Sequence, residues 1–143
     1  MMPDSGDAPP ARFLQPAGWA SPVGYAHGAA AAAGARFITL AGQIGWNPVT
    51  ASFETDDFGG QARQALANVV ALLVEAQAKP QHLVRLTWFV TSRAEYLGAR
   101  RAIGIAYREV IGVHYPPMSV VVVAGLIEER AKVEIEATAV LPA

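Results

Sequence analysis

Two apolar runs rich in β-branched residues close the chain, residues 115–126 and 131–141, with a short charged segment from Ile127 to Arg130 between them. The pattern predicts two neighbouring strands. In the second, Val133, Ile135, Ala137, Ala139 and Leu141 point one way and Glu134, Glu136, Thr138 and Val140 the other. The first has no polar face after Ser119, which predicts a strand covered on both sides. Earlier, Leu83 to Val90 alternates, with Val84, Leu86, Trp88 and Val90 opposed to Arg85, Thr87 and Phe89. Residues 36–41 predict another strand, and a turn over Pro22 to Gly28 leads into a short one before it. Gly42 and Gly45 follow the strand at 36–41, and glycine there suits either a bulge or a close approach of backbone to another group.

The helical period comes next. Ala62, Leu66, Val69, Val70, Leu73 and Val74 recur at steps of three and four, which puts one stripe against a core. Thr55 or Asp56 would cap this helix, and Lys79-Pro80 would end it after Ala78. Ser92 and Glu95 have capping-box spacing, opening a second helix that Gly112 closes, with Arg100, Arg101 and Arg108 on its solvated side. The order strand, strand, helix, strand, helix, strand, strand predicts an α+β fold, a mixed sheet with two helices on one face. Residues 1–22, with five prolines among small and polar residues, read as a flexible N-terminal arm and 23–143 as one domain.

Composition adds a partner. Apolar residues make up 52% of the 143, while charged ones reach only 16%, against the usual quarter. The surplus predicts a buried subunit interface. Net charge is −1 and no basic block occurs, so no nucleic-acid footprint is expected. Without cysteine there is no thiolate nucleophile or thiolate metal site. His27, His82 and His114 lack ligand spacing, so neither metal nor cofactor is expected. No run suits a membrane span and the N-terminus does not read as a secretory signal, so no membrane partner and a cytoplasmic location are expected. Glu134 and Glu136 are the chemical candidates. They form either a solvated strand surface or a carboxylate at an apolar seam, where burial would raise a pKa and suit it to moving protons from water.

Several segments, in order, resemble the RidA/YjgF family, also called endoribonuclease L-PSP. They are Gly24-Tyr25, Ala41-Gly42-Gln43-Ile44, residues 61–69, Leu86-Thr87-Trp88-Phe89-Val90-Thr91 and residues 133–140. The resemblance implies a chorismate-mutase-like mixed sheet, a homotrimer, and small-molecule clefts between subunits. It implies hydrolysis of 2-imino or 2-enamine acids to 2-keto acids and ammonia, with an arginine gripping the carboxylate and a glutamate orienting water. The glutamate falls on Glu134, and pocket positions fall on Tyr25, Gly42, Phe89 and Ser119. The family's Arg-Pro-Ala-Arg-Ser corresponds to Tyr115-Pro116-Pro117-Met118-Ser119, which puts Met118 in place of the clamping arginine. A thioether carries neither donor nor charge. Losing two charge-assisted hydrogen bonds weakens carboxylate recognition by about 100-fold. The expectation is therefore an imine or enamine hydrolase that is a poor 2-iminoacid deaminase. The alternative is a binding or regulatory trimer that kept the cleft without the chemistry. The ribonuclease implied by the older family label lacks a basic stripe to support it.

Overall fold

The computed structural model describes residues 9–143. Strand β1 (Ala11–Leu14) pairs antiparallel with β2 (Gly28–Ala31) in a ribbon of its own. The main sheet contains β3 (Arg36–Ile44), β4 (Leu83–Val90), β5 (Met118–Val122) and β6 (Val133–Leu141). Its order is β3-β6-β4-β5, with β5 parallel to β4 and the other pairs antiparallel. Helices α1 (Phe58–Glu75), α2 (Arg93–Gly98) and α3 (Arg100–Val110) complete the domain. This is the expected α+β arrangement of a mixed sheet with two main helices.

Burial follows the alternation. Leu86, Trp88 and Val90 of β4 and Val133, Ile135, Ala137 and Ala139 of β6 join Ala62, Leu66, Val69 and Leu73 of α1 in one core. Gln61, fully buried in the first turn of α1, holds two loops to that core. Its amide donates to the carbonyls of Thr55 and Arg130 at 3.1 and 3.0 Å, and its oxygen accepts from the Lys132 N–H at 2.9 Å. The cap of α1 is Asp57, whose carboxylate accepts from the Gly60 N–H at 2.8 Å. Asp56 pairs with Arg130 instead.

Several expectations need correction. Strands β5 and β6 are not neighbours, because β4 lies between them. The chain leaves β5 at Val122 and uses residues 123–132 to pass the end of β4, too long a path for a tight hairpin. As an edge strand β5 is also not covered: Val120, Val121 and Val122 are exposed in the single chain. The segment 1–22 contains a strand where none was expected, since β1 supplies the partner of β2; residues 1–8 lie outside the described residues. The second helix breaks at Ala99 into α2 and α3. Ser92 caps α2 through the Glu95 N–H at 3.1 Å, but the Glu95 carboxylate turns to Lys132 Nζ at 2.8 Å and does not complete the box. In β4 an irregularity near Val84 puts Leu83 in the core in its place, and Val74 of α1 is exposed.

Candidate functional site

The sheet carries its helices on one face and leaves the other open, and the candidate residues divide between them. In β3 the register slips between Leu40 and Gln43, so Ala41 and Gly42 together oppose Glu136. Such a bulge re-aims side chains. Here it lays Gly42 against Glu134: a Cβ on Gly42 would stand 2.7 Å from Glu134 Cγ and Cδ and 3.0 Å from its Oε2. Glycine occupies this position because the carboxylate fills the space a side chain would need. Of the two readings weighed for this glycine, bulge and close approach both hold. Glu134 is half-buried, between Ile44 on β3 and Phe89 on β4, and its carboxylate has no hydrogen-bond or ion-pair partner among the described residues. Glu136, one pair further along, is exposed beside Thr87.

Ser119 lies beside Thr87 on the same open face, with Arg85 Nη2 at 3.5 Å from its hydroxyl. Val121 adjoins Phe89. The open face therefore gathers Gly42, Phe89, Ser119 and Glu134, four of the six sequence candidates.

Met118 is elsewhere. It pairs with Leu86, whose side chain is in the core, so its sulfur packs on the helix side. One chain therefore does not bring Glu134 and Met118 together. The Tyr25 segment meets the chain just before Met118: the Ala26 N–H donates to the Pro116 carbonyl at 3.2 Å, and Ala26 bridges Pro117. Tyr25 itself is exposed, edge-on to His27 with ring centroids 5.5 Å apart.

The groove beside Met118 was not among the sequence candidates. It has a volume of about 620 Å³ and runs between the β5 edge and α3, floored by Trp88, Tyr96, Tyr107, Tyr115, Met118 and Val120. Tyr107 and Tyr115 stack with centroids 5.2 Å apart. Burial, and then the neighbouring Tyr115, hold the Tyr107 phenol well above its usual pKa, and its O–H donates to the His114 carbonyl. Trp88 Nε1–H is buried without an acceptor among the described residues. Arg100, Arg101 and Arg108 rim the groove. The available signal was Gly104, a glycine inside a helical pattern between two arginines, which calls for a packing or functional reason. Among the described residues no cluster of His, Asp or Glu is placed to hold a metal, and no helix is long and apolar enough to cross a membrane.

Residues 20–141 match the family described as endoribonuclease L-PSP. The chain belongs to this family, that of RidA and YjgF. Among solved structures of the family, it is 30% identical to YyfB from Yersinia pestis, a conserved Rid-family protein of unknown function. That match covers 92% of this chain and 99% of that one at a TM-score of 0.79. It is 33% identical to the YjgF gene product of E. coli, covering 82% and 88% at a TM-score of 0.64. TdcF of E. coli, solved with bound serine, is 29% identical over 92% and 99%, also at 0.64. No curated protein matches the chain.

Proposed function

We propose that the protein hydrolyses small imines or enamines in clefts between the copies of a homotrimer, with Glu134 as the base that activates water. The observation that carries the reading is the contact of Gly42 with Glu134, which keeps an unpaired carboxylate clear of side chains on a half-buried sheet face. Family membership supports the chemistry, and serine bound to TdcF supports a small-molecule site. Self-association is supported by the exposed apolar residues of the open face and sheet edge, Phe37 at 71% and Val121 at 41%. Because Glu134 and Met118 face opposite ways in one chain, a cleft that uses both takes them from different copies.

In this reading Glu134 accepts a proton from water as the oxygen attacks the C=N carbon. The nitrogen gains that proton, Glu134 then carries the adduct's hydroxyl proton to the same nitrogen, ammonia leaves and a carbonyl remains, with Glu134 again ionised. The backbone at Gly42 and the Tyr25 hydroxyl orient the substrate, and Phe89, Met118 and Ser119 line the cleft. No cofactor is needed. Met118 offers only polarisable apolar contact, so 2-imino acids are poor substrates.

The test is ammonia release from freshly generated 2-aminoacrylate. The wild type should turn it over slowly, and Met118→Arg should raise kcat/KM by about 100-fold. Fast wild-type turnover removes the weight placed on Met118. The second reading, a binding or regulatory trimer, is favoured by the same missing guanidinium. It gains if neither protein releases ammonia while a metabolite raises Tm and is recovered unchanged.

A further inference from the structure

The groove on the helix side has a composition that names a ligand. Its volume suits a drug-sized molecule. Its floor is flat and polarisable, with the stacked Tyr107 and Tyr115 rings, the Trp88 indole and the Met118 thioether, surfaces that favour an aromatic ring over an aliphatic chain. Its outer bank is cationic. Arg101 and Arg108, with Arg100, are exposed and form no ion pair among the described residues. Glu109 is the one acid of the lining, and Arg63 already neutralises it. A Cβ at residue 104 would meet nothing within 4 Å, so a larger side chain can be placed there beside the groove without a clash. Helical spacing puts Gly104 on the same side of α3 as Arg101 and Arg108, three residues after one and four before the other.

We infer that this groove binds a flat aromatic carboxylic acid, its ring on the Trp88, Tyr107 and Tyr115 floor and its carboxylate on Arg101 and Arg108. The two guanidinium groups that would hold this acid lie on α3, across the groove from Met118 on β5. Arg85 is no substitute, since it lies on the opposite face of the sheet beside Ser119. The Trp88 N–H, which has no acceptor among the described residues, adds a preference for a ligand with an acceptor near its ring. This assignment rests on the reading that the groove is the substrate side of the proposed cleft.

The experiment is calorimetric titration of the full-length protein with 3-phenylpropionate, 3-phenylpropionamide and propionate. None has a C=N bond, so a failure of the proposed hydrolysis leaves the result untouched. The acid should bind saturably, and the amide and propionate each about tenfold or more weakly. Substituting Arg101→Met and Arg108→Met together should weaken the acid by about tenfold or more and leave the amide unchanged. Gly104→Leu fills the groove without removing a polar group and improves helix propensity, so it should abolish binding with Tm no lower than wild type. Equal affinity for acid and amide, no effect of the arginine substitutions, wild-type binding by Gly104→Leu, or no binding of the acid would each overturn the inference. So would dissociation of the assembly by Gly104→Leu in size-exclusion chromatography, since a neighbouring copy would then be the occupant of the groove.

Discussion

Gly42 and Glu134 occupy one another's space: the bulge in β3 brings the glycine so close that any Cβ would overlap the glutamate side chain. Gly42→Ala should therefore push the carboxylate off its position while leaving the sheet paired. The atoms in the way are the end of a flexible, half-buried side chain that can swing aside, so the stability cost should stay below about 1 kcal/mol, while displacement of a base by about an ångström costs about 100-fold in rate. Thermal denaturation and steady-state ammonia release would measure both. A variant as active as the wild type would remove Glu134 from the mechanism.

The exposed edge and open face should be where copies meet. Val121→Asp puts a charge beside Phe89, so it should convert the proposed trimer to single chains in size-exclusion chromatography with light scattering. Activity should go with it, because the proposed cleft between two copies would then be incomplete. A trimer of unchanged mass would place the interface elsewhere.

Gln61 offers a test of the frame and not of the chemistry. Gln61→Leu keeps the volume but leaves the Thr55 and Arg130 carbonyls and the Lys132 N–H without their partner. Chemical denaturation should show a loss of about 2–4 kcal/mol. A loss below about 1 kcal/mol would mean that water replaces the amide.

Stability should also fall on mild acidification. Desolvation, then Lys79 and His114, hold the pKa of His82 below its ordinary 6.5, and its Nδ1 accepts from the Lys79 N–H at 2.9 Å, a contact that suits the neutral ring. The unfolded chain takes up the proton more readily than the folded one. The contribution of His82 is therefore complete above pH 6.5 and is lost as pH falls below it towards the native pKa. Tm measured from neutral pH downward should drop, and His82→Gln should flatten that drop. Parallel profiles for the two proteins would assign the effect to another group.

Much of this was legible in the chain itself. The period-two runs 83–90 and 133–141 and the period-three-and-four stripe of α1 gave the elements and their buried faces. One-sided patterning is a local property that burial enforces residue by residue. Family segments gave the positions of Gly42, Phe89, Ser119 and Glu134, which do gather on one face. The mixed sheet itself was expected and holds, but which strands pair within it was not legible. The insertion of β4 between β5 and β6, the partnership of β1 with β2, and the turning of Met118 away from Glu134 all follow from which strands neighbour which.

The sequence by itself determined the α+β class, most of the core faces and a pair of carboxylates at 134 and 136, of which only the family resemblance singled out Glu134, because hydrophobic alternation and residue chemistry are written position by position. Only the tertiary structure decided the strand order, the overlap of Gly42 with Glu134 and the groove between β5 and α3. These arise where segments distant in the chain meet, and no local pattern encodes the distance between them.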